Sequence, residues 1–275
     1  MSVITIAEHM DGLMLKAEIL AVGDELCYGR VYDVNSFWIA DQLTRLGVLV
    51  QRITCVRDDE EDIIDALKSS LPRGSNYVFI TGGLGPTEDD RTLAALSKFT
   101  GKRVVVSEAI LRVLSERRKI PYSAFQPHHL KMASTLEGAE CLPNPVGWAP
   151  VTILNVNHCT VCVLPGPPNE AQACFNEHIV GRIRATTKQR SLARRVKVNM
   201  YESEVTPILK KLSTEIKGLY AKPLVSEGSR ERGLPIEIIT FGDTEALCKE
   251  KYDMVFHKLK ELIESRGREI IEAQF

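Results

Sequence analysis

The chain has 275 residues, 44% of them hydrophobic and 26% charged, with a formal net charge of -1. That length and balance describe a soluble globular protein with one large core and a smaller one, and exclude a mainly disordered chain. A net charge near zero excludes a global field that recruits nucleic acid or an anionic membrane, so the expected partner is a small molecule held by local groups.

No apolar run approaches the ~20 residues that span a bilayer. Residues 1–13 lack a basic segment followed by an apolar one, so a cytoplasmic protein is expected and these residues are set outside the fold. Seven cysteines, an odd number spread along the chain, read as reduced thiols and not as a disulfide framework. Cys159 and Cys162 have C-x-x-C spacing, but no second pair follows. On a strand their side chains face opposite sides, which favours buried strand cysteines over a metal site.

The first half alternates strands and helices in the manner of a mostly parallel α/β sheet with helices on both faces, a three-layer arrangement. Strands are expected at Ala17–Val22, Val48–Val56, Tyr77–Ile80 and Arg103–Val106. Helices are expected from a cap at Asn35 or Ser36 to Leu46, over Glu60–Leu71, from near Thr87 through Leu96, over Glu108–Arg118 and over Phe125–Leu136. A Pro-rich loop at 141–150, strands Val151–Val156 and Thr160–Leu164, and a helix from Asn169 to about Arg184 follow. The Arg- and Lys-rich residues 182–197 read as a solvated connector. Beyond it, strand Val196–Tyr201, helix Ser203–Lys217, strands Leu219–Val225 and Pro235–Thr240 and helix Thr244–Ser265 describe a second, smaller α+β domain of half-wound ferredoxin-like order, with a polar tip at 227–233. The expected domains are 14–184 and 195–275.

Chemistry is expected in three loops at strand ends, where open α/β sheets bind ligands. In the first, Gly23 permits a tight turn, and Asp24 and Glu25 offer acceptors to a ribose, a pterin amide or a hydrated cation; a solvated strand-end turn would look the same. The second, Thr81-Gly82-Gly83-Leu84-Gly85-Pro86-Thr87-Glu88-Asp89-Asp90, brings backbone amides and carboxylates together. Thr87-x-x-Asp90 fits a capping box, which accounts for Asp90 alone. The Gly82-Gly83-x-Gly85 run and Asp89 remain, and a divalent cation such as magnesium, held by Asp89 and Asp90, reconciles acids with a phosphate at a helix start. The third pairs Asn144-Pro145-Val146-Gly147 with Pro165-Gly166-Pro167-Pro168, either as walls of a preformed pocket or as rigid packing turns. The adjacent His128 and His129 cannot both point at one site from a helix, and Arg117-Arg118-Lys119 and Arg194-Arg195 read as solvated.

Four ordered motifs resemble the molybdopterin-binding-like domain of the CinA (competence/damage-inducible protein A) family. They are Ala17–Leu26 with Gly29 and Asn35, Thr81–Thr87 with Asp89-Asp90, Asn144-Pro145-x-Gly147, and Leu164–Pro168. The resemblance covers residues 15–180 and implies a metal-dependent pyrophosphatase of ADP-ribose or a related nucleotide. In that reading Asp89 and Asp90 hold the cation, and Glu25 and Asp24 position water or a second metal contact. Gly82, Gly83 and Gly85 face phosphate, and Asn35, Asn144, Gly147, Pro165 and Gly166 line the ligand site. Related molybdopterin adenylyltransferases, in which Leu84 is replaced by Thr, imply the alternatives of nucleotidyl transfer to a pterin or binding of a pterin or nucleotide without turnover. Relatives form dimers or trimers, so a homo-oligomer is implied; the deamidase domain of longer members is not expected here.

Overall fold

The computed structural model describes residues 14–225 and 233–273. Residues 1–13 and, apart from Gly233, the polar tip at 227–233 lie outside them. The chain divides into two compact units, one of Leu15–Thr44 with Val48–Thr186, the other of Thr187 onward with Arg45–Gly47.

In the larger unit, β1 (Leu15–Val22), β2 (Val48–Val56), β3 (Tyr77–Thr81), β6 (Glu140–Leu142), β7 (Val151–Val156) and β8 (Cys159–Leu164) form one sheet in the order β2, β1, β3, β8, β7, β6. The first four are parallel, and β7 and β6 follow antiparallel. Every residue of β3 is buried, as a strand covered on both faces requires. On one face Leu20, Val78, Ile80 and Val163 pack with Ile63 and Leu67 of helix α3 (Glu60–Ser70) and Leu96 of α4 (Thr92–Thr100). On the other, Phe79 meets Phe175 at 5.7 Å between ring centroids, and Phe175 meets Trp38 of α2 (Val34–Arg45) at 5.5 Å. The layers are thus helix, sheet, helix. Cys159 joins the first face while Cys162 pairs in register with Phe79. Burial pushes their thiols up to about 11 and about 12, so neither is a thiolate at neutral pH.

Three expected elements differ. The residues 125–136 do not form one helix: α6 (Pro127–Met132) stops and β5 (Ser134–Leu136) pairs with β4 (Val104–Val106), which buries Ser134, Thr135 and Leu136. The 182–197 segment is no connector. Helix runs to Thr186, and β9 (Arg190–Val198) lies inside the second sheet, where Arg195 pairs with Glu237 at 2.5 Å from the facing register position. A cross-strand carboxylate is what allows so basic a segment to be an interior strand. With α9 (Glu202–Glu215), β10 (Leu219–Pro223), β11 (Leu234–Gly242) and α10 (Glu245–Glu264), a fourth strand β12 (Ile270–Ala273) completes a β-α-β-β-α-β unit in the order β10, β11, β9, β12, the full ferredoxin-like pattern. Third, the helix expected from Thr87 begins at Thr92, with consequences for the site.

A charge anchors the N-terminal half of β1. Glu18, 0% exposed, receives Arg73 through both carboxylate oxygens at 2.6 and 2.5 Å, with Ser75 at 3.3 Å. Burial pushes the Glu18 carboxyl up, but the Arg73 and serine hydrogen bonds outweigh it and hold it below its ordinary value. Arg73→Ala strands a buried carboxylate, and urea unfolding at pH 7 should show a loss of about 3 kcal/mol. Because the folded carboxyl is the stronger acid, the parent's advantage is full above the ordinary Glu range and fades as pH falls through the depressed value.

Candidate functional site

The three expected loops leave the carboxyl ends of β1, β3 and β8, and the loop before antiparallel β7 reaches the same end. Their closeness rests on backbone without side chains. Gly82 has φ 102°, and a Cβ there would drive into the Val22 carbonyl oxygen at the end of β1. Gly83 has φ 64°, and a Cβ would collide with the Thr92 hydroxyl, which donates to the Gly82 carbonyl at 2.8 Å. Leu84 is buried among the core residues and pins the turn from below.

Asn35 is not the helix cap; Asp33 takes that role by accepting the Ser36 amide at 2.9 Å. Asn35 instead joins the loops. Its Nδ2 donates to Thr81 Oγ1 at 2.9 Å and to the Gly166 carbonyl at 2.7 Å, while Thr81 Oγ1 donates to the Pro165 carbonyl at 3.0 Å. The third pair of loops is equally tied. Asn144, 2% exposed, accepts the amides of Val146 and Gly147 at 3.0 and 2.7 Å and donates to Glu170 at 2.6 Å. Arg117 is not solvated: it donates to the carbonyls of Asn144 and Gly147, and burial lowers its affinity for a proton.

Asp90 lies before α4 and does not start it. Its Oδ1 accepts the Gly85 amide at 2.7 Å, and its Oδ2 accepts the Thr87 amide at 2.9 Å and the Thr87 hydroxyl at 2.6 Å. The Gly85 amide is therefore spent inside the turn and is not free for phosphate, and the Gly82 amide goes to the Leu164 carbonyl at 3.3 Å. Among the described residues nothing accepts the amides of Gly83 and Leu84. Exposed Asp89 is held below its ordinary value by the Thr87 side chain, its own amide, Lys131 and Arg91. Pro86 and Thr87 form the exposed tip, with the Thr87 carbonyl accepting Lys131.

Sequence reasoning missed Asp58, two residues past β2. Its Oδ2 accepts the Asp24 amide at 2.8 Å, fixing the first loop. Burial pushes its carboxyl up, and the charges of Glu25, Asp24 and Asp90 push it further, against the Asp24 hydrogen bond. Asp58 thus marks where acids from three strand ends meet, information that only parallel register supplies. Asp24 is partly offset by Arg57 at 3.3 Å, and Glu25 folds back over Gly23, where a Cβ would lie 2.7 Å from its Oε1. His128 and His129 do converge, with Nε2 atoms 3.0 Å apart, because His129 stacks on Trp148 at 4.7 Å and turns toward its neighbour. Among the described residues no helix is long and apolar enough to cross a membrane, and no three His, Cys, Asp or Glu side chains form a closed metal cluster.

A mostly parallel sheet between two helix layers, with glycine turns and carboxylates at one set of strand ends, defines an α/β protein of the three-layer class. The family model described as a probable molybdopterin binding domain matches residues 18–185. A protein of Pyrobaculum arsenaticum is 36% identical over 265 residues, covering 94% of this chain and 99% of its own length. A CinA-like protein of an Anaeromyxobacter species is 39% identical over 171 residues, 62% of this chain and 42% of that protein. The crystal structure of the protein CinA from Thermoplasma acidophilum, of unknown function, aligns with a TM-score of 0.57 and 32% identity over 62% of this chain and 98% of its own. The chain belongs to the CinA family and carries its molybdopterin-binding-like domain.

Two outcomes are expected. Gly82→Ala combines a positive φ with a clash against backbone and should cost about 2–4 kcal/mol in urea unfolding. Gly29→Ala, at φ 67° with nothing within 4 Å of its Cβ, should cost only about 1 kcal/mol. Asp58→Asn should stabilise the fold at neutral pH in the absence of divalent cations. A carboxyl whose folded pKa is raised contributes its stability at low pH and loses it as pH rises through that value. The gap in melting temperature should therefore close toward pH 4, and a gap independent of pH would contradict the charge crowding.

Proposed function

We propose that the larger unit binds a nucleotide diphosphate at these strand ends and hydrolyses the pyrophosphate of ADP-ribose or a related nucleotide with a divalent cation such as Mg²⁺. The observation that carries the reading is the raised Asp58 carboxyl, crowded by Glu25, Asp24 and Asp90 beside the Gly82-Gly83 turn. Such crowding suits a divalent cation, whose charge offsets the repulsion among the carboxylates. With no closed cluster among the described residues, the ion would share Asp90, Asp58 and Glu25 or Asp89 with substrate phosphates. Bound there, a divalent cation offsets the charge developing on phosphorus and makes water more acidic.

The chain's own groups do the rest. The amides of Gly83 and Leu84 hold phosphate oxygens, as glycine turns do. Glu25, exposed on a mobile-length side chain over Gly23, takes the proton from the attacking water. The water oxygen bonds to phosphorus as the bridging P–O bond breaks, yielding AMP and ribose phosphate. The Asn144 and Pro165 loops, stiffened by proline and by Asn144, give walls that need little ordering on binding. A second reading, adenylyl transfer to molybdopterin or its binding without turnover, draws on the description of the matching family.

The purified protein should release AMP from ADP-ribose with Mg²⁺ or Co²⁺ and not with excess chelator, and Glu25→Gln should lower kcat at least ~100-fold. Adenylation of a pterin by ATP without AMP release from ADP-ribose would replace hydrolysis with the second reading.

A further inference from the structure

The Asn35 carboxamide has a fixed orientation. Thr81 Oγ1 spends its hydrogen on the Pro165 carbonyl at 3.0 Å, so toward Asn35 it can only accept. The Gly166 carbonyl, 2.7 Å away, is likewise an acceptor. Both hydrogens of Nδ2 are thereby used, and exchanging Oδ1 for Nδ2 would set an oxygen against two acceptors. Oδ1 must face the other way. There, among the described residues, it is buried with no hydrogen-bond partner, on a residue only 9% exposed. Unpaired buried carbonyl groups are uncommon and carry a standing cost that a donor removes.

The position is as informative as the orphaned oxygen. Asn35 stands where β3 ends and the loop after β8 begins, and Gly166 approaches so near that its Cβ would lie 3.4 Å from the Gly82 Cα. The clamp on Thr81 and Gly166 uses the nitrogen alone. It gives no reason for the oxygen to go unpaired beside the turn whose Gly83 and Leu84 amides also lack acceptors.

We propose that Asn35 reads the ligand: Oδ1 accepts a hydrogen bond from a hydroxyl or N–H group carried next to the bound phosphate, so the site selects phosphorylated ligands with such a donor. The inference rests on the phosphate site proposed above and names the chemistry that distinguishes its substrate from phosphate alone. A ribose hydroxyl of a nucleotide diphosphate and a pterin N–H both supply the donor.

Titration calorimetry on the full chain, with ADP-ribose, inorganic pyrophosphate and neopterin phosphate as probes, tests this. The parent should prefer ADP-ribose to pyrophosphate, and Asn35→Ala should shrink that preference about tenfold while pyrophosphate affinity stays within about threefold. Thr81→Val, which breaks the clamp and keeps Oδ1, should weaken both probes alike. In the parent, among analogues of ADP-ribose lacking one ribose hydroxyl each, one should bind about tenfold more weakly, a readout that does not depend on the variants folding. Equal loss of ADP-ribose and pyrophosphate binding in Asn35→Ala, or equal binding of every deoxy analogue and no preference for neopterin phosphate over pyrophosphate, would reduce Asn35 to a clamp and overturn the inference. Preference for neopterin phosphate over pyrophosphate and ADP-ribose, with the same Asn35 dependence, would uphold it and overturn the ADP-ribose reading. Binding of none of the probes would overturn both.

Discussion

Everything at the carboxyl end of the parallel strands depends on how closely the chain leaving β3 passes the end of β1. Gly82 lies against the Val22 carbonyl with no room for a methyl group. That approach brings Thr81 within reach of Asn35 and of the loop after β8, and one amide nitrogen then ties the elements together. The turn is held from below by Leu84 in the core, from behind by Thr92 and from inside by Asp90. It is a rigid turn, in which little conformational freedom remains.

Against that rigid turn stands a group of acids only partly offset. Burial and the charges of Glu25, Asp24 and Asp90 raise the half-buried Asp58 carboxyl, while Arg57 answers Asp24 alone. At the opposite half of β1 a buried carboxylate is fully answered by Arg73 and two serines. The same strand thus carries one acid that is satisfied and leads into acids that are not. Stability accounts for the first; the second costs stability and is characteristic of a site shaped for a ligand.

Much of this was legible in the residues. Parallel strands showed as continuous apolar runs, the C-x-x-C pair was assigned to opposite faces by alternation, and the glycine turn was placed at the carboxyl end of β3. The misreadings have two causes, a local turn that mimics a cap and partners supplied from elsewhere in the chain. Thr87-x-x-Asp90 has capping-box spacing, yet its hydrogen bonds close a turn before a helix that starts at Thr92. The basic segment near 190 became an interior strand because Glu237 faces Arg195, and Arg117 left solvent because two loop carbonyls face it. In the last two cases the deciding partner is remote in sequence.

The amino-acid sequence by itself determined the class of fold, the strand that carries the glycine turn, and the kinds of group available there. Those follow from local periodicity and from what glycine, proline and carboxylates do to their own neighbourhoods. Only the tertiary structure decided which groups are spent and which remain. Gly85 and Asp90 consume each other, the amides of Gly83 and Leu84 stay open, Asp58 enters the acidic cluster, and Asn35 keeps an oxygen unpaired. Hydrogen-bond bookkeeping of that sort joins residues up to 131 positions apart, and no local pattern encodes it.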